Sequence, residues 1–287
     1  MQNILIGLFP GVIWGTAPLL LYYIPTSSLK KLSGTTLGIC IISLVIFAFK
    51  DKEIGTGNFL IFFISGVAWG IGQYGQYIGY TSLGVSKVFP ISTGLQIVGN
   101  SLIGGIIFNE WSNGYQVLKG LIGIFLILMG IVFSNNKKQP DSIKRSNYYY
   151  LILIFTTSGY WLYSALPKLV TANNTHIELS AFLLPQALGM VFVAGILILL
   201  VDQNSQTGIT VSICNLAVGC LFGFAAFAYL LSISVNGMVN AFLMSQSNII
   251  IATILGVYVL KERQGTSKMK LWSSLLFIVL GAIIIMI

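Results

Sequence analysis

Ten long apolar runs divide the chain, at about 3–23, 33–49, 58–80, 86–108, 116–134, 149–169, 179–201, 212–232, 237–260 and 269–287. Each is close to the ~20 mostly apolar residues that a helix needs to cross the hydrocarbon core of a bilayer. The pattern predicts an all-α polytopic membrane protein with ten transmembrane helices. Most links are short. The longest, Asn135 to Tyr148, is polar and basic. It predicts two five-helix halves, 1–134 and 149–287, joined by a connecting loop at 135–148.

The apolar runs carry internal polar stripes. In the fourth, Ser92, Gln96 and Asn100 stand at i, i+4 and i+8, on one helical face, two residues after Pro90. In the third, Trp69, Gln73, Gln76 and Tyr80 form a second stripe at i, i+4, i+7 and i+11. Such faces are costly in lipid and are expected to point at other protein or at a wet cavity.

The two halves also match each other. At an offset of 152, Glu110 meets Glu262, Gly104 meets Gly256, Gln96 meets Asn248 and Thr93 meets Ser245. At 153, Gly66 and Gly70 meet Gly219 and Gly223; at 147, Trp14 meets Trp161. Together these matches favour a duplicated unit. Five is odd, so two copies must enter the membrane with opposite topology. Inverted repeats of this kind place a central site where the halves meet. Gln73 has Ala226 as its counterpart, so a lopsided site is expected, with more hydrogen bonds from the first half.

Composition agrees with a membrane protein: 56% of residues are hydrophobic and 8% charged, against about 25% charged in soluble domains. Mean hydropathy is +0.89. The net charge of +8 lies mostly in links between runs, which points to the positive-inside rule rather than to nucleic acid. One side would hold Lys30, Lys31, Lys87, Lys137, Lys138, Lys144, Arg145, Lys261, Arg263, Lys268 and Lys270. The other would hold Lys50, Lys52, Lys119 and Lys168, which places both termini outside. The N-terminus reads as a first helix, not as a signal peptide.

None of the seven acidic residues falls mid-run. A cationic substrate has no evident countercharge, and proton coupling has no evident buried carboxylate. Glu110 and Glu262, at the ends of matching runs, are the remaining candidates for gating or coupling; the alternative is simple pairing with nearby Lys or Arg. Lys87 could snorkel to the surface or reach inward, and Pro90 is a candidate hinge. Neutral polar groups and aromatics are plentiful instead. Trp14, Trp69, Trp161 and Tyr163 would supply flat walls. Gln73, Gln76, Gln96, Asn100, Gln186, Gln246 and Asn248 would bind hydroxyls, since amides both donate and accept. Helices one, three, four, six, seven and nine would line the cavity. This lining suits a neutral sugar; the alternative is that the amides only join helices, at roughly 0.6–2 kcal/mol each. The three cysteines and single histidine lack metal spacing. No nucleophile–base pair or paired carboxylate stands within the runs, so an enzyme is not expected, nor any cofactor or metal.

Several stretches resemble a known family: Gly11-Val-Ile-Trp-Gly15, Gly34-Thr-Thr-Leu-Gly38, Ser65-Gly-Val-Ala-Trp-Gly-Ile-Gly-Gln73, Pro90-Ile-Ser-Thr-Gly-Leu-Gln96 and Asn109-Glu-Trp111. Gly159-Tyr-Trp-Leu-Tyr-Ser-Ala-Leu-Pro167, Pro185-Gln-Ala-Leu-Gly-Met190 and Ser245-Gln-Ser247 continue the series. In order, over nearly the whole length, the chain resembles the bacterial glucose/ribose uptake family of the drug/metabolite transporter superfamily. The resemblance implies a ten-helix inverted repeat in the plasma membrane that imports a monosaccharide, described for the family as sugar–proton symport. Uniport of sugar, or export of small amphiphilic metabolites, are the alternative functions.

Overall fold

The computed structural model describes residues 2–49, 55–134, 143–173, 182–201, 213–236, 238–262 and 268–286. Among these, every regular element is helical. In the first half lie α1 (Gln2–Tyr22), α2 (Ser28–Ala48), α3 (Thr56–Leu83), α4 (Val85–Leu102) and α5 (Gly114–Ser134). In the second lie α6 (Ile143–Asn173), α7 (Leu183–Val201), α8 (Ile213–Asn236), α9 (Met238–Ser245), α10 (Ser247–Ile254) and α11 (Lys268–Met286). Six helical stretches among the described residues are long and apolar enough to cross a membrane. The helices α3 and α6 are longer still, 28 and 31 residues, but more polar. Glutamines interrupt the first, and Lys144 and Arg145 open the second.

Three boundaries depart from the hydropathy pattern. Helix α2 begins before its apolar run, because Ser27 caps it by accepting the Lys30 N–H, at 3.3 Å. Helix α6 begins at Ile143, so the end of the expected connecting loop is its first turns; residues 135–142 lie outside the described residues. The ninth run is not one helix. It breaks at Gln246, where ψ is −8°, between α9 and α10. Neither glycine nor proline marks the break. Ser245-Gln-Ser-Asn248 is instead a cluster of residues that compete with the helix for its own hydrogen bonds. The Ser245 hydroxyl donates to the Phe242 carbonyl, and the Ser247 hydroxyl to the Met244 carbonyl.

The ends of α4 and α10 are alike in detail. Each passes into a π turn, Ile103–Ile107 and Leu255–Val259. Each π turn is followed by a left-handed residue, Asn109 and Lys261, both with φ of 54°. The next residue, Glu110 or Glu262, donates its N–H back to Gly104 or Gly256, at 3.1 Å in both cases. The residues correspond at the offset of 152 seen in the sequence.

Helices associate in lipid without the hydrophobic drive available in water, so close packing through small residues has to hold them together. Glycines make that packing. Helix α2 meets α8 so closely that a Cβ at Gly219 would lie 2.5 Å from the Thr35 carbonyl oxygen. Gly66 of α3 abuts the Gln186 backbone of α7, and Gly159 of α6 abuts the Ala68 carbonyl of α3. Helix α5 packs on α11 across Gly123 and Gly281. Its other side, with Leu118, Leu121, Phe125 and Val132, is exposed and faces where lipid would be. One buried cluster joins Leu21, Trp69, Tyr77, Tyr160, Met190 and Phe222; another joins Phe89, Ile97, Ile127, Ile249 and Ile278.

Gly219→Ala is expected to lower stability by ~1–3 kcal/mol through overpacking against a backbone that cannot yield. Gly195→Ala, where a Cβ meets nothing within 4 Å, should leave the apparent Tm of the purified protein unchanged or slightly raised.

Candidate binding cavity

Polar residues from several helices converge on one cavity of about 250 Å³. The α3 stripe points into it: Trp69, Gln73, Gln76 and Tyr80 all line its wall. Nine of the eleven substrate-binding candidates border it: Trp14, Trp69, Gln73, Gln76, Gln96, Tyr163, Gln186, Gln246 and Asn248. The other two do not. Asn100 donates to the Ser164 hydroxyl at 3.3 Å, and the Trp161 indole N–H donates to the Leu95 carbonyl at 3.0 Å, with its ring against Gly99. Both join α4 to α6. Ser92, on the same stripe, sits 3.4 Å from the Thr157 hydroxyl and accepts from Gln96 at 3.2 Å. The α4 stripe therefore divides its roles, with only Gln96 and the adjacent Thr93 reaching the cavity.

The amides fall into two groups. In the first, the Tyr160 phenol lies 2.9 Å from Gln73 Oε1 and 3.0 Å from Gln76 Oε1, and Gln73 Nε2 donates to Gln76 Oε1 at 3.3 Å. A phenol has one proton to give, so these groups share a compact network. Gln186 donates to the Ser65 hydroxyl at 3.1 Å, and Ser65 in turn donates to the Tyr163 carbonyl at 3.0 Å. The second group is different. Gln246 Oε1 and Asn248 Oδ1 are buried and have no hydrogen-bond partner. Both stand at the α9–α10 junction and line the cavity. Broken helices are a recurrent way of presenting polar groups at mid-membrane depth.

The aromatic lining is richer than the sequence suggested. Tyr77 and Tyr229 join Tyr80, Tyr160 and Tyr163, and Phe222, Tyr229, Leu230 and Ile233 bring α8 to the wall. Helix α8 was missed because it carries no amide stripe; Ala226 stands where α3 has Gln73. Trp69 meets Tyr160 and Phe222 edge-on, at 6.5 and 6.2 Å between ring centroids. Trp14 packs on Tyr229 at 5.6 Å.

The cavity has a closed end and an open one. Leu21, Tyr77 and Phe89 are buried at the end formed by the α3–α4 turn. Ser164, Pro167, Lys168 and Ile233, at the opposite end, are partly exposed. Lys168 is the charged residue of the lining; no carboxylate borders the cavity among the described residues. Its ammonium pairs with Glu110 and lies 4.7 Å from the centre of the Phe108 ring. Nothing in the hydropathy pattern marked Lys168 as a cavity residue; it reads there as a cation at the end of the sixth run.

Glu262 stands at the closed end. Its two carboxylate oxygens accept the N–H groups of Val85 at 2.8 Å and Ser86 at 2.7 Å, the first turn of α4. An anion is favourable there because those N–H groups have no partner within the helix. Gly84 makes the turn before α4 with φ of 89°, a conformation that other residues rarely adopt. Lys87 is half-buried one turn on, and α4 continues through Pro90 without interruption.

Residues 5–287 match the model of the family described as sugar transport protein. A protein of Lactiplantibacillus plantarum, provisionally named for sugar uptake, is 39% identical over 282 residues, covering 97% of each chain. One from Latilactobacillus sakei, provisionally named for ribose uptake, is 35% identical over 274 residues, covering 93% of this chain and 92% of that one. The glucose uptake protein of Bacillus subtilis is 31% identical over 270 residues, covering 92% and 90%. A crystal structure described only as a protein aligns with a TM-score of 0.63 at 14% identity, over 99% of this chain and 98% of that one. At that identity the likeness concerns the fold alone.

Tyr160→Phe removes the donor shared by Gln73 and Gln76. Loss of one partner from a buried polar group costs ~1–3 kcal/mol, so the ligand-free protein should unfold at lower temperature.

Proposed function

We propose a function from one premise: the chain belongs to the sugar transport protein family and is a multi-pass protein of the bacterial plasma membrane. The protein takes up a neutral monosaccharide by alternating access at the central cavity. The orphaned oxygens of Gln246 and Asn248 carry this reading. A buried acceptor without a donor is costly, and a ligand rich in O–H groups supplies what is missing. The tyrosine and tryptophan rings offer flat faces for the C–H side of a pyranose or furanose. The cavity volume, about 250 Å³, lies just below the ~300–1,000 Å³ of sites for drug-sized ligands. That favours a monosaccharide over a bulky amphiphile.

The two halves act as inverted five-helix repeats about this cavity. The recurrence of π turn, left-handed residue and glutamate at one offset supports that reading. On the charge bias of the links, the Lys168 end faces outside and the Glu262 end faces the cytoplasm. The cavity as described presents no carboxylate, so sugar moves down its own gradient without a required proton.

Two measurements test the proposal. Gln246→Leu and Asn248→Leu should each weaken sugar binding by about two- to tenfold, the equivalent of one net hydrogen bond at ~0.5–1.5 kcal/mol. Unchanged glucose and ribose affinity in folded variants defeats the sugar reading. In proteoliposomes at clamped voltage, uptake should not follow an imposed pH gradient; if it does, the transport is symport.

A further inference from the structure

Two glutamates occupy one local frame and make different tertiary contacts. Glu110 and Glu262 each follow a π turn and a residue with φ of 54°. Each is tied back to a glycine carbonyl at 3.1 Å. Two non-glycine residues held in the left-handed region, at matching places, mark a geometry kept in both halves. Yet Glu262 reaches across to the other half and holds the first N–H groups of α4. Glu110 is half-exposed and paired with Lys168.

The missing counterpart is identifiable. Helix α4 starts two positions after α3 ends, across Gly84. Helix α9 starts two positions after α8 ends, and the residue between is Gly237. At the offset of 153, Val85 and Ser86 correspond to Met238 and Val239. The same exchange of groups that ligates Glu262 to α4 would ligate Glu110 to the start of α9. The Glu262 contact coincides with the closed end of the cavity, and the Glu110–Lys168 pair with the open end.

We propose that the two glutamates are alternating catches. Glu262 on α4 closes the end it occupies here. In the opposite state that contact opens, and Glu110 leaves Lys168 to hold the Met238 and Val239 N–H groups, closing the Lys168 end. Lys168 is thus a parking partner that keeps the second catch released while the first is engaged. The inference rests on the alternating-access reading, but not on the identity of the substrate.

The test needs no sugar. Cysteine-free protein carries one reporter, Leu21→Cys at the closed end or Ile233→Cys at the open end, and is labelled with a water-soluble maleimide. Leu21→Cys should react slowly and Ile233→Cys quickly. Glu262→Gln should raise the first rate at least about tenfold and lower the second. Glu110→Gln should do the reverse, slowing Leu21→Cys further. Lys168→Ala releases Glu110 to its second site, so it should shift both rates in the direction opposite to Glu110→Gln. Two results overturn the proposal. One is a rise at Leu21→Cys in Glu262→Gln without a fall at Ile233→Cys, which a purely structural helix cap would give. The other is Lys168→Ala behaving like Glu110→Gln, which a simple ion pair would give. Reciprocal rates with no sugar binding would leave the catches standing and remove the sugar reading.

Discussion

A polar group inside a bilayer has no water to fall back on, and most of this structure answers to that constraint. Backbone groups are consumed by helices. Side-chain amides and hydroxyls must then find partners on other helices or border a cavity. Asn100, Trp161, Ser92 and Gln186 find partners and join helices. Gln246 and Asn248 border the cavity and each keep an oxygen unsatisfied, as do Ser86 Oγ and Asn215 Oδ1 away from it.

Glycine contacts make this sorting possible. Where α3 lies against α6 and α7, backbones touch at Gly66 and Gly159. That approach brings Tyr160 within hydrogen-bond reach of Gln73 and Gln76. The same economy of space governs α2 and α8, of which α8 forms part of the cavity wall. Backbone that approaches backbone cannot yield locally. Movement in such a bundle is expected as shifts of whole helices rather than as local loosening.

Charge is used sparingly and at the rims. Glu262 and the Glu110–Lys168 pair stand at opposite ends of the cavity. An anion on the first N–H groups of a helix is a compact contact that can be made and broken as a unit. The cavity between the rims is left to neutral groups, which avoid the desolvation cost of a buried ion.

Much was legible in the sequence. Apolar runs near 20 residues and recurring residues at one offset are local or additive properties, and they forecast the helical segments and the matching places of the two glutamates. The i, i+4, i+7, i+11 stripe of Trp69, Gln73, Gln76 and Tyr80 was readable because helical geometry alone puts those side chains on one face. What sequence left undecided is which neighbour each face meets. Asn100 and Trp161 carry the same chemistry as Gln96 and Tyr163, yet face α4–α6 contacts instead of the cavity. The break at Gln246 has no proline or glycine to announce it. Helix α8 offers only apolar and aromatic groups, and Lys168 reads as a surface cation. These roles depend on helix rotation and on partners distant in the chain, 58 to 66 positions away for Lys168, Asn100 and Trp161, and only the packed tertiary structure decides them.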